Sequence, residues 1–215
     1  MESLDVKKFL ATTMLVAGLA VLTIGSANAT VISFATPSGT LNTSQAYGPI
    51  TAYGFTGVGP ANNHALTATY LYGKNTAGDP GETGLGLKKG DDHEINDPAG
   101  AEAIILDISQ LMGKKLEIGF GSVQYNESWR VGFSNSAMLP SNESAFSGFI
   151  IGTTDYPNLY NLGIRNSRYL IVEAYHENVL LRSLSYTDVP EPASMALLGA
   201  GLVGMGYARR RANRA

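Results

Sequence analysis

Between residues 30 and 188 apolar side chains recur at every second position, and the runs are broken by clusters of Gly, Pro, Asn and Asp. A period of two is that of a strand with one buried face, and no segment here carries the 3.6-residue stripe of an amphipathic helix. In residues 64–72, Leu66, Ala68, Tyr70 and Tyr72 fall on one face and Thr67 and Thr69 on the other. Leu116, Ile118 and Phe120 repeat the pattern, as do Trp129, Val131 and Phe133 with Arg130 opposite. Less regular runs at 103–108, 149–151, 169–175 and 179–186 are rich in Ile, Leu, Val and Tyr and suit buried strands, while 31–34 and 50–55 add two weaker candidates. Residues 73–100, with Asp79-Pro80-Gly81 and Lys89-Gly90-Asp91-Asp92, read as a long loop holding one or two short strands, and residues 108–112 as a single helical turn. The predicted fold is all-β, a single antiparallel β-sandwich of jelly-roll-like form.

The two ends have a different texture. Lys7 and Lys8 precede an apolar run of 16 residues, 9–24, and small residues end it at Ala27-Asn28-Ala29. Basic residues, apolar run and A-x-A in that order are the parts of a secretory signal peptide, so residues 1–29 are expected to form a signal helix. Signal peptidase is then expected to cut after Ala29 and to leave 30–188 as the β-domain. The C-terminal segment, 189–215, has Pro190-Glu191-Pro192, an apolar run of 16 residues at 193–208, then Arg209, Arg210, Arg211 and Arg214. Two prolines end the last strand because neither donates a ladder hydrogen bond. As a helix the run is about 24 Å long, slightly short of a ~30 Å hydrocarbon core, and its arginines stay cytoplasmic while the β-domain lies outside.

Pro190-Glu191-Pro192, the short apolar helix and the Arg209, Arg210 and Arg211 cluster together resemble a PEP-CTERM sorting signal. The resemblance implies processing by the membrane enzyme exosortase, transient anchoring in the inner membrane, and a destination at the cell surface or in an extracellular matrix. In that family the matrix is that of bacteria that make exopolysaccharide, and its members are usually assigned to biofilm, sheath or outer-surface material. A second resemblance lies within the domain. Gly84-Leu85-Gly86-Leu87, Asp92-His93-Glu94-Ile95-Asn96 and the strand at 103–109 are similar to a Gly-Leu-Gly-Val, Glu-Ile-Asp-Asn, Leu-rich succession found in many such proteins. Leu87 and Asn96 depart from that pattern, and it carries no assigned chemistry.

The residue supply narrows the chemistry. There is no cysteine, which excludes thiol and disulfide chemistry. Residues 30–188 hold 15 acidic residues against nine Lys and Arg, a net charge of −6, with no basic cluster beyond two Lys pairs, so nucleic acid is not an expected partner. His64, His93 and His176 are the only histidines, no Gly-x-Ser-x-Gly elbow occurs, and Gly119-Phe120-Gly121-Ser122 reads as a strand with small residues. The expectation is a protein that is not an enzyme and has no cofactor. Asp91, Asp92, Glu94, Asn96 and Asp97 offer hard oxygens that suit calcium, and the alternative is a solvated loop whose Asp and Asn favour turns. The ten tyrosines, six phenylalanines and Trp129 of the domain read as packing between sheets, the alternative being stacking on sugar rings. Two functions follow as expectations: a non-catalytic structural protein of the surface or matrix, or a carbohydrate-binding module, calcium-dependent, that attaches to exopolysaccharide.

Overall fold

The computed structural model describes residues 28–58, 63–76, 81–96 and 102–189, together with Gly201, Met205, Arg209 and Arg210. Fifteen strands are seen among the described residues. They are Ala29–Ser33 (β1), Gly39–Thr40 (β2), Ser44–Tyr47 (β3), Ile50–Val58 (β4), Ala65–Thr69 (β5), Leu71–Asn75 (β6), Thr83–Leu87 (β7) and Ile95–Asn96 (β8) in the first half. Glu102–Asp107 (β9), Lys115–Gly121 (β10), Ser128–Ser134 (β11), Ser147–Gly152 (β12), Tyr160–Ile164 (β13), Tyr169–His176 (β14) and Asn178–Thr187 (β15) complete them. All pairings are antiparallel and form two packed sheets, an all-β sandwich. The first sheet runs β13-β10-β15-β7-β6-β2, with β1 and β8 also against β15; the second runs β12-β11-β14-β9-β4-β3, with β5 on β4.

The core lies between the sheets. Leu71, Leu85, Leu87, Leu116, Ile118 and Phe120 face it from the first sheet and Ile104, Leu106, Val131, Leu170 and Val172 from the second. Trp129 joins the layers: it is fully buried, its ring stacks on Phe120 at 4.5 Å, and its Nε1–H donates to the Thr154 carbonyl at 3.1 Å. The face expected for Trp129 is therefore the one observed.

The irregular apolar runs have a structural cause. In β9, Ile104 and Leu106 enter the central core while Ala103 and Ile105 enter a second cluster, with Phe55, Leu66, Phe146 and Ile171, on the outer face of the sheet. Both faces are buried, so alternation disappears. In β15 the register against β10 shifts between Gly119 and Phe120, pairing Ser183 with Gly119 and Leu181 with Phe120. The extra residue is a bulge, and it lets Leu181 and Leu184 face the same core in spite of their odd spacing.

Two expectations are corrected. Residues 64–72 are not one strand, because β5 belongs to the second sheet and β6 to the first, the chain crossing at Tyr70. The crossing resets which residues face inward: Leu66 is buried, Ala68 and Tyr70 are exposed, and Tyr72 is half-buried. The stretch read as a long loop with one or two short strands holds more strand than that: β7, all five residues of which are buried, and β8 are joined by most of β6. Gly73, Gly84 and Gly86 are required by close packing against backbone, whereas Gly81 lies in a turn and Gly90 in a bend at a φ of 79°. The single turn expected near 108–112 is a 3-10 turn at Ser109–Leu111.

Candidate functional site

On the outer face of the β6–β7 hairpin Gly84 and Gly86 present only hydrogen atoms. A Cβ on Gly84 would stand 2.8 Å from the Leu181 carbonyl oxygen, and one on Gly86 would overlap the His93 carbonyl. Residues 92–96 lie across that face as a clasp. His93 takes a left-handed φ of 60° and stacks on Tyr72 with ring centroids 3.9 Å apart. Glu94 then points into the sheet edge and Ile95 into the core, both buried. The second sequence pattern thus has a physical meaning: two leucines fill the core, Gly86 admits the crossing backbone at His93 and Glu94, and Gly84 admits the backbone of Leu181 in β15.

Glu94 ends in a charge cluster. Lys74 Nζ donates to Glu82 Oε2 at 2.6 Å and also bonds Glu94 Oε1. Ser122, held at a left-handed φ of 55°, brings its Oγ to 2.8 Å from Glu82 and to 3.1 and 3.2 Å from the two Glu94 oxygens. Burial pushes the Glu94 carboxyl above the usual glutamate range, against the pull of Lys74. Burial also acts on Glu82, but the Lys74 and Ser122 hydrogen bonds outweigh it and hold that carboxyl low. Burial works to lower Lys74, and its two carboxylate partners overcome it and raise its pKa. One hydroxyl proton can serve only one carboxylate at a time, so Ser122 donates either to Glu82 or to Glu94.

The residues expected to bind calcium are divided by this arrangement. Asp92 and Asn96 come together, with Asn96 Nδ2 donating to Asp92 Oδ1 at 3.2 Å and Asn178 Nδ2 to Asp92 Oδ2 at 3.2 Å. Asn96 N–H donates to Glu102 Oε2 at 3.0 Å, and burial raises the Glu102 carboxyl despite that bond. Asp91 is exposed, Glu94 turns away to Lys74, and Asp97 lies outside the described residues. Among the described residues no group of three or more His, Asp or Glu is placed to hold a metal ion.

A second cluster was not legible in the sequence. Arg130 reaches Glu173 Oε2 at 2.8 Å and also bonds fully buried Glu143, whose other oxygen lies 2.7 Å from His64 Nδ1. Arg130 occupies the outward face opposite Trp129, where sequence implies water, and the covering segments come from 64 and 142–146. The one local signal is the Asn142 side chain accepting from Ser144 N–H at 2.8 Å, a cap that begins the 3-10 turn carrying Glu143.

The chain enters and leaves the sandwich at one place. In β1 Ala29 pairs with Thr187 of β15, and on the other side of β15 Lys115 pairs with the same Thr187. The expected cleavage residue Ala29 is therefore the first residue of β1, while Ala27 lies outside the described residues. Asp188 follows Thr187 and forms an ion pair with Lys114. Ala29–Asp188 is a compact unit by itself. Beyond it Arg209 and Arg210 are helical and exposed, and Pro190, Glu191, Pro192 and Arg211 lie outside the described residues.

Residues 188–211 match the family described as the PEP-CTERM protein-sorting motif. The chain carries a PEP-CTERM motif. No curated protein and no solved structure matches it. The PEP-CTERM motif begins at Asp188, the last residue of the compact unit, so the sorting signal starts where the folded domain stops. The PEP-CTERM motif implies export, sorting to the cell surface and exosortase as the processing partner. Among the described residues no helix is long and apolar enough to cross a membrane.

Proposed function

We propose that this protein is a non-catalytic structural component of the cell surface or extracellular matrix of a biofilm, released there after exosortase cuts its C-terminal segment. The observation that carries the reading is the PEP-CTERM motif abutting the end of the β-domain at Asp188. The use of the buried charges supports it: Glu94 and Glu82 are tied to Lys74 and Ser122, and Glu143 to Arg130 and His64, in bonds that fasten crossing segments to the outer faces of the sheets. In this reading signal peptidase first removes residues 1–29, and the C-terminal segment then anchors the domain transiently in the inner membrane.

Mass spectrometry of the secreted protein, with and without exosortase in the cell, tests this. The expected wild-type product begins at Thr30 and lacks the segment after the Pro-Glu-Pro tripeptide, and deletion of exosortase leaves that segment in place at the inner membrane. Identical processing in both strains would overturn it.

A carbohydrate-binding module, calcium-dependent and attached to exopolysaccharide, is the second reading. What favours it is the placing of Tyr70, 52% exposed with Lys88 Nζ 5.6 Å from its ring centre, and of the Tyr72–His93 stack beside Asp91 and Asp92. A glycan array on residues 30–188, in calcium and in chelator, separates the two. The structural role predicts no binding and no calcium-dependent thermal shift, and calcium-dependent glycan capture would transfer the function to the second reading.

A further inference from the structure

We propose that the end of the sandwich where β15 stops is a docking surface for anionic lipid headgroups, and that it seats the domain on the membrane holding the PEP-CTERM segment. The inference rests on the anchoring reading above and adds a contact made by the domain itself.

Strand register brings three strand ends together. Thr187 pairs with Lys115, and Lys115 pairs with Ile164 of β13, so the ends of β15, β10 and β13 lie side by side. Two turns are laced together there: Gly113 N–H donates to the Arg165 carbonyl at 2.7 Å, Arg165 N–H to the Lys114 carbonyl at 3.2 Å, and Ile108 N–H to the Arg168 carbonyl at 2.8 Å. Lys114, Lys115, Arg165 and Arg168 are thereby gathered from two segments that sequence keeps about fifty residues apart.

Charge is distributed unevenly along the strands. This end holds four of the nine Lys and Arg of residues 30–188 against three carboxylates, Asp107, Glu117 and Asp188. The rest of the domain holds five cations against twelve carboxylates. A domain acidic as a whole thus presents its least negative end where the chain continues into the sorting segment. Asp188 is occupied by Lys114 and Glu117 by Lys115, whereas Arg165 and Arg168 have no carboxylate partner among the described residues. Their guanidinium groups rest on aromatic faces, Arg165 on Phe133 at 4.2 Å and Arg168 on Tyr169 at 5.2 Å. Stacking fixes the plane of a guanidinium; with Arg168 Nη1 donating to the Ala137 carbonyl at 2.6 Å and both Nε atoms buried, the remaining Nη N–H groups are those left for phosphate.

Apolar side chains accompany the cations. Met112 is 50% exposed and Ile164 57%, each on one of the two laced turns. Exposed aliphatic groups beside stacked arginines fit the boundary between headgroup and acyl chain, where each finds the environment it lacks in water. The tether is short as well. Four residues, 189–192, separate Asp188 from the apolar run, two of them proline. At full extension they reach at most about 14 Å, under two Debye lengths at physiological salt. An anchored domain therefore stays within reach of the headgroups on its own side of the bilayer, and weak contacts become effective through proximity. Cutting the tether removes that proximity, so the same surface that seats the precursor releases the product.

The full chain has no cysteine, so single-site labels are available without further changes. A fluorophore is placed at Met112→Cys, at Ile164→Cys, or at Tyr125→Cys, the last 93% exposed and beyond the opposite end of β10. Each chain is reconstituted into vesicles carrying a headgroup quencher, made of phosphatidylcholine alone or with about 30% phosphatidylglycerol. Quenching at 112 and 164 should exceed that at 125 by about two-fold or more in anionic vesicles, and the excess should vanish in neutral vesicles and near 0.5 M salt. Lys115→Gln with Arg165→Gln should abolish it too; the salt titration on the unaltered charge set gives the same answer should that variant not fold. A chain that floats with the vesicles yet is quenched equally at all three sites overturns the proposal and leaves anchoring intact. Excess quenching that ignores lipid charge and salt also overturns it. A chain that does not float with vesicles removes the anchoring reading and the proposal with it.

Discussion

Gly86 has no space for even one more carbon, since the His93 carbonyl and Glu94 Cα occupy the volume its Cβ would fill. Both obstacles are backbone, which cannot rotate aside. Gly86→Ala is therefore expected to lower stability by at least about 1–3 kcal/mol, read as a lower denaturation midpoint, because it lifts the clasp from the sheet. Gly48 supplies the contrast: its φ of +60° requires a left-handed residue but nothing lies within 4 Å of its Cβ position, so Gly48→Ala should cost only about 1 kcal/mol of backbone strain. Equal losses at the two sites would mean that crowding at Gly86 is relieved by movement. The sequence displayed Gly84 and Gly86 as part of a pattern and could not say why. The atoms that demand them belong to His93, seven positions on, and to Leu181 in another strand. Arg130 is the opposite case, a residue whose position opposite Trp129 implied solvent and whose cover is brought by loops that periodicity does not describe.

At the scale of the element, strands with one or two uniformly buried faces were legible. The runs at 103–108, 169–175 and 179–186 are β9, β14 and β15 within a residue or two at most ends. Illegible were the crossing at Tyr70, because alternation continues in sequence while the chain changes sheet, and the two-residue edge strand β2, whose partner β6 lies far along the chain. The clasp itself should respond to pH. Burial holds Glu94 and Glu102 above the ordinary glutamate range, while Glu82 is held below it by Lys74 and Ser122, which outweigh its burial. A carboxyl whose folded pKa is raised binds its proton more tightly in the folded chain, so stability rises as pH falls through that folded pKa toward the unfolded value near 4.3. Glu82 acts in the reverse sense, its contribution being present above the unfolded value and lost as pH falls through the depressed folded pKa. Denaturation midpoints taken from pH 7 downward should first climb and then drop at lower pH. In Glu94→Gln the early climb should shrink, and an unchanged climb would assign it to other carboxyls.

For the whole molecule, the compact unit ending at Asp188 makes truncation informative. Stopping the chain after Asp188 should leave the melting temperature of the domain unchanged, because no strand is cut. Stopping after Leu184 removes Ser185, Tyr186 and Thr187, which register with Val31, Thr30 and Ala29 on one side and with Glu117, Leu116 and Lys115 on the other. With ladder hydrogen bonds worth about 0.5–1.5 kcal/mol each, that loss is a large part of an ordinary domain's stability, and the shorter chain should lose its near-ultraviolet circular dichroism.

The pairing of Thr30 with Tyr186 also sets how the processed domain bears load. With the two chain ends adjacent on antiparallel strands, tension between them peels β1 from β15 one rung at a time, the weakest way to pull a ladder whose bonds lie across the strands. Tension from the Asp188 end toward the far end of the sheet acts along β15 instead, and the seven register pairs with β10 then resist together in shear. A protein held by its C-terminal end and gripped at its other end is loaded in the strong direction.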